Sequence, residues 1–118
     1  MEFVFDNNIP IYIQLLEYLK IYLISGVFKP GDKLPSVRDF ANSFKVNPNT
    51  MQKALGELES MKLIYTERTN GKYVTKDDTL IEKLKDEYAI ALAKSYFNGM
   101  QKIGLGKADS IKYLEGIE

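Results

Sequence analysis

The sequence contains no cysteine and no histidine. Without cysteine there is no disulfide framework and no thiolate metal site, a composition that fits a reducing compartment. Without histidine the chain lacks the commonest general base and the commonest metal ligand near neutral pH. Long apolar runs are missing too. The longest candidate, Ala89-Ile90-Ala91-Leu92-Ala93, has charges close on both sides and falls far short of the roughly 20 residues that span a bilayer. The opening Met1-Glu2-Phe3-Val4-Phe5-Asp6 lacks the basic-then-apolar order of a secretory signal. A soluble, cytoplasmic protein without membrane contact is expected.

An excess of either charge is also absent. The 16 Lys and Arg balance the 16 Asp and Glu. Residues 1–75 hold nine basic against eight acidic groups, and residues 76–118 hold seven against eight. Any nucleic-acid surface must therefore be local, because bulk charge does not favour phosphate. Enzyme chemistry finds little to stand on. Asp77-Asp78 and Asp86-Glu87 are sequence neighbours, and adjacent helical residues do not face one another. Gly104-Leu105-Gly106 lacks the strand–turn–helix setting of a phosphate loop. No catalytic residue, no metal ligand and no cofactor is expected.

What is present is periodicity. In this chain of 118 residues, Leu15, Leu19 and Leu23 recur every fourth position, widened by Leu16 and Ile24. They predict a helix over 11–24 with Pro10 in its first turn and Gly26 as its stop. Pro30-Gly31 predicts a turn. Ser36 followed by Asp39 reads as an N-cap with a shortened capping box. The short helix it opens buries Val37, Phe40, Ala41 and Phe44. Lys45-Val46 makes a tight connection. Asn47-Pro48 then opens a second helix, as N-cap followed by proline at the first helical position. Its buried stripe is Met51, Ala54, Leu55, Leu58 and Met61, with Asn49, Gln52 and Lys53 on the other side. A β-rich run, Leu63 to Thr66, an Asn70-Gly71 turn and a return strand, Lys72 to Thr75, predict a hairpin. Thr79 with Glu82 reads as a capping box for a helix reaching about Lys102. Gly104 and Gly106 end it, and 108–115 can form a last short helix.

The pattern predicts a mainly α fold with a small β-hairpin: a winged helix-turn-helix over 1–76 and a two-helix dimerisation tail over 77–118. In that arrangement the second helix of the pair enters the major groove by its N-terminal end. Asn47, Asn49, Thr50, Gln52 and Lys53 stand there. Asn and Gln can pair with adenine through a donor and an acceptor together, and Lys reaches phosphate or guanine. Arg68, Asn70 and Lys72 on the wing could follow the adjacent backbone. Each residue also has a plainer reading, as helix cap or solvated face.

Two runs carry a resemblance. Gly-Val-Phe-Lys-Pro-Gly-Asp-Lys-Leu-Pro-Ser-Val-Arg-Asp-Phe-Ala at 26–41, and Val-Asn-Pro-Asn-Thr-Met-Gln-Lys-Ala-Leu-Gly-Glu-Leu-Glu at 46–59, resemble the signature of GntR-family transcriptional regulators. With Leu63-Ile64 and the wing, the match covers about 10–75. The tail resembles the YtrA-like subfamily, whose members carry a long and a short helix after the wing. The resemblance implies a DNA contact at Arg38, beside the capping Ser36, and contacts at Asn49, Thr50 and Gln52. It places the wing-tip glycine at Gly71. Thr69 departs from the family's usual glycine, and Pro48 and Gln52 stand where several relatives are basic, which leaves the base preference open. Repression of a palindromic operator is the family default, and control of transporter or envelope-stress operons is a further implication.

Along the tail, Ile81, Leu84, Tyr88, Ala91 and Ser95 share one helical face, and Leu92, Tyr96, Met100 and Ile103 an adjacent one. So much apolar surface on a long helix predicts a homodimer with two half-sites ~34 Å apart on DNA. Small residues between 89 and 95 suit close helix approach or simple helix propensity. Tyr88, Tyr96, Phe97 and Tyr113 suit core packing or a small-molecule effector pocket. The competing function is a winged helix for protein–protein contact, and a weaker third is RNA binding. The polar exposed side of 48–61 and the lack of an exposed aromatic platform argue for duplex DNA.

Overall fold

The computed structural model describes residues 4–118. The first three residues of the stretch inspected for a signal pattern lie outside the described residues. Five helices and one two-stranded sheet are present among the described residues. The chain divides into two compact units after Glu82.

The first unit begins with α1 (Ile11–Ile24), which buries Leu15, Leu19 and Leu23. Pro10 stands one position before the helix, not in its first turn, with an extended ψ of 133°. The entering chain is held by Gln14. Its amide donates to the carbonyls of Asp6 and Ile9 at 2.7 and 2.9 Å, and its oxygen accepts from the Asp6 N–H at 2.7 Å. Lys29 to Asp32 close the predicted turn, with Gly31 at φ 84°. Positions 31–34 then run beside the wing, a pairing too short and too interrupted by Pro35 to show in the sequence.

Next come α2 (Val37–Phe44) and α3 (Pro48–Ser60). Ser36 Oγ accepts from the Asp39 N–H at 3.1 Å, and Asn47 Oδ1 from the Asn49 N–H at 2.7 Å. Met51, Ala54, Leu55 and Leu58 are buried. Met61 is not part of that stripe: the helix ends at Ser60, and Met61 is left 37% exposed at its C-cap. Phe40 and Phe44 meet edge-on at 5.9 Å, and Phe28 and Tyr22 extend the cluster at 5.6 and 5.8 Å. Such tilted ring contacts add to the apolar burial itself.

The wing pairs β1 (Ile64–Glu67) with β2 (Gly71–Val74), Ile64 facing Val74 and Glu67 facing Gly71. Its turn is not the two-residue Asn70-Gly71 loop. Asn70 lacks the positive φ that such a loop demands, so the connection is Arg68-Thr69-Asn70, closed by Gly71 at φ 107°. Tyr65 and Tyr73 stack across the strands at 5.6 Å.

Helix α4 (Asp78–Lys102) starts in the first unit, where Ile81 is buried, and continues into the second. Its cap is Asp77, not Thr79. Asp77 Oδ1 accepts from the Thr79 hydroxyl, the Thr79 N–H and the Leu80 N–H. Those bonds, the Thr79 hydroxyl first, hold the Asp77 carboxyl below its ordinary value against an opposing cost of desolvation. A carboxylate favoured in the folded state stabilises it above the unfolded pKa, and the contribution is lost as pH falls through the folded one. Acidification below about pH 4 should therefore loosen the start of α4. Asp77→Asn keeps a capping oxygen and should remove this part of the acid dependence, read from circular dichroism across pH; an unchanged acid limb would clear Asp77 of the role.

In the second unit, Gly104 at φ 87° ends α4, and the Leu105 N–H reaches back to the Met100 carbonyl at 2.9 Å. Helix α5 (Lys107–Glu115) follows, with Asp109 Oδ2 accepting from the Gly106 N–H at 3.3 Å. The buried Ser110 ties the helices: its carbonyl accepts from the Tyr96 hydroxyl at 2.8 Å.

Candidate nucleic-acid interface

Helices α2 and α3 are joined by Lys45, Val46 and Asn47, the short turn of a helix-turn-helix. Lys45 takes a left-handed conformation at φ 56°, and the Val46 N–H returns to the Ala41 carbonyl at 3.0 Å. This sharp reversal places the α3 N-terminus at the surface. Asn47, Asn49, Gln52 and Lys53 are exposed there, and Thr50 is half-buried. Helix N-termini offer free N–H groups and a positive dipole end to an anion.

Two shallow depressions organise these residues. One brings Asn49, Thr50 and Lys53 together with Ile11 and Tyr12 of α1. Lys53 is not simply solvated: its ammonium lies 3.8 Å from the Tyr12 ring centroid, an attraction between the cation and the ring's negative face. The second brings Ser36 together with Asn70, Gly71, Lys72 and Lys33. Arg38, Asn47, Gln52 and Arg68 line neither, and Arg38, Gln52 and Arg68 are exposed. Ser36 spends its hydroxyl on capping α2, and Asn70 donates to Glu67 Oε2 at 3.2 Å.

Lys72 departs from its reading as a wing cation open to phosphate. Its ammonium donates to Thr66 Oγ1 at 3.0 Å and sits 3.8 Å from Glu59 Oε2. Two other cations stand exposed near these residues. Lys33 is exposed, pairs with Tyr73 in an isolated bridge, and passes beside the wing-tip Gly71. Lys45, read only as connection, is exposed at the turn. The Pro30-Gly31 turn hinted that the chain reverses, but nothing in the pattern showed that 31–34 return along β2.

In the tail, Leu84, Tyr88 and Tyr96 are half-buried, whereas Ala91, Leu92 and Ser95 are exposed. Ile81 cannot serve an interface as the sequence suggested: it is 6% exposed, covered by its own chain. Ile90, Leu92, Ile103, Ile111, Leu114 and Ile117 all stand exposed. No helix among the described residues is long and apolar enough to cross a membrane.

A helix pair with a polar, N-capped second helix, flanked by a two-stranded wing, defines a winged helix-turn-helix DNA-binding regulator. Residues 11–74 match the bacterial regulatory proteins of the gntR family, and the chain belongs to that family. It is 36% identical over 101 residues to the HTH-type transcriptional repressor YtrA of Bacillus subtilis, across 80% of this chain and 78% of that one. A GntR family transcriptional regulator from Listeria monocytogenes has a similar structure, with a TM-score of 0.88 and 39% identity over 97% of this chain and all of that one. The AraR DNA-binding domain in complex with operator ORR3 aligns at a TM-score of 0.53 and 28% identity, over 63% of this chain and 96% of that one.

Proposed function

We propose that this chain represses transcription as a homodimer on a palindromic operator, with residues 1–76 binding DNA and 77–118 joining the protomers. The exposed polar N-terminus of α3 carries this reading. Asn47, Asn49, Thr50 and Gln52 are assigned to base edges. Ser36, Arg38, Lys53, Arg68, Asn70 and Gly71 are assigned to the backbone on either side, with Lys33 and Lys45 added. The operator complex of the AraR domain and the repressor role in YtrA's name support the assignment. Dimerisation is assigned to Leu84, Tyr88, Ala91, Leu92, Ser95 and Tyr96. Its support is the exposed apolar surface of the tail, since a lone chain leaves Leu92 69% exposed and Ile103 71% exposed. The Tyr96 hydroxyl is committed to Ser110, which favours packing over an effector pocket for that ring.

The test is a shift assay with DNA upstream of the chain's own gene against random DNA of equal length, titrated across salt. A specific complex of two protomers that weakens steeply with salt is expected. A protein-binding winged helix would give no specific complex. Asn49→Ala and Gln52→Ala should each cost about 1–3 kcal/mol of discrimination between operator and random DNA, the worth of a good bidentate base contact. Equal loss on both DNAs would remove that residue from the base-reading set.

A further inference from the structure

Lys72 and Thr66 are cross-strand partners in the wing, while Glu59 lies in the last turn of α3. Their side chains form one chain of bonds. The Lys72 ammonium donates to Thr66 Oγ1 at 3.0 Å, and the Thr66 hydroxyl donates to Glu59 Oε1 at 2.6 Å. Lys72 also stands 3.8 Å from the second Glu59 oxygen. The Lys72 side chain is only 15% exposed, against 39% for Glu59. On the other edge of the same strand position, the Lys72 carbonyl accepts from the Leu34 N–H at 2.8 Å. Residue 72 is thus fixed both by its side chain, to α3, and by its backbone, to the segment preceding α2.

We propose that Glu59, Thr66 and Lys72 form a positioning clamp that sets the wing's pose on the recognition helix, and that Lys72 belongs to this clamp and not to the phosphate contacts. The proposal rests on the DNA-binding reading for its consequence, though not for its geometry. A two-stranded hairpin is marginal alone and takes its orientation from what it packs on. The register of Arg68 and Asn70 against DNA would follow from this joint. Lys72 would act through them without touching the duplex.

Lys72→Ala, Glu59→Gln and Thr66→Val, made in the full chain, separate the roles. In the free protein, amide exchange over 64–74 should rise about fivefold in each variant, the size of one partly exposed charged hydrogen bond. Lys72→Ala should weaken operator binding by about the same factor while the salt slope stays unchanged. Glu59→Gln should weaken it too, even though loss of a negative charge by itself favours DNA. The clamp is overturned by unchanged exchange in all three variants, by a Lys72→Ala slope flatter by about one, or by a Glu59→Gln variant that binds every DNA more tightly. If the unmodified protein bound no DNA and wing exchange still rose in the variants, the regulator reading would fall while the wing–helix joint stood.

Discussion

Leu55→Ala is expected to destabilise the first unit by about 2–5 kcal/mol, the range for an aliphatic side chain removed from a closed core. Leu55, on α3, is fully buried, as are Leu15, Met51, Leu58, Ile64 and Val74 of the same core. Truncation there removes the transfer energy of the lost methyls and leaves a cavity in a core that relaxes only partly. Against a total of about 5–15 kcal/mol for a domain, this is a large share. The denaturation midpoint should fall at constant m-value. Met61→Ala is the internal comparison. Helical spacing alone puts Met61 in the same stripe, but it is exposed at the C-cap and should change stability by no more than about 0.5 kcal/mol. Equal losses at the two positions would mean that α3 continues through Met61 and that its C-terminal boundary is wrong. Because the same helix presents Asn49 and Gln52, DNA binding by the Leu55 variant should be normal at low temperature and lost with the fold on heating.

The contrast between those two positions shows where sequence periodicity carries information. Spacing identifies a face; it does not say where a helix stops. Four helices of this chain end in the same way, with a left-handed residue whose successor bonds back five residues: Gly26, Lys45, Lys62 and Gly104. The two glycines announced their helix ends because glycine adopts that conformation without a Cβ penalty. Lys45 was read as a tight connection, but neither lysine is a residue type that signals a left-handed conformation. Any L residue there accepts a cost of about 1–2 kcal/mol, set against the packing of the elements it joins. Both lysines flank α3, so at its two ends the position of a turn was legible at best, while its left-handed geometry was not. The α4 cap was missed for a related reason. Asp77 and Thr79 both cap well, and only the tertiary path of residues 75–77 decides which comes first.

For the candidate interface, exposure was more legible than bonding. Asn49, Gln52 and Arg38 stand exposed as expected. The sequence set Lys53 on the helix and Arg68 and Lys72 on the wing, all as cations open to DNA, yet Lys53 rests on Tyr12 and Lys72 is bound to Thr66 and Glu59. Those partners come from α1, β1 and α3, at separations that no local pattern encodes. The zero net charge becomes easier to understand as well. Acidic groups such as Glu59 and Glu67 are occupied by wing residues, so part of the negative count is tied up inside the site's own scaffold.

Leu92→Glu combined with Ile103→Glu is expected to convert the protein to a monomer and to lower operator affinity by about 10²–10⁴, the gain that linking two binding modules can supply. Leu92 stands on α4, and Ile103 follows directly after the helix's last residue, Lys102. Each is mostly exposed in the single chain, so a carboxylate at either position meets water there and should leave the chain's own fold intact. Across a two-fold contact the same carboxylates would be desolvated without partners and would face their own copies, a penalty that removes the association. Light scattering at micromolar concentration should report twice the 13.5 kDa chain mass for the unmodified protein and the single mass for the variant. Thermal unfolding of the first unit should not shift. A monomer mass for the unmodified protein would end the dimer proposal, and a variant that stays dimeric would move the interface away from Leu92 and Ile103. Retained operator affinity in a monomeric variant would mean that one winged helix suffices and that the palindrome is not read by two linked copies.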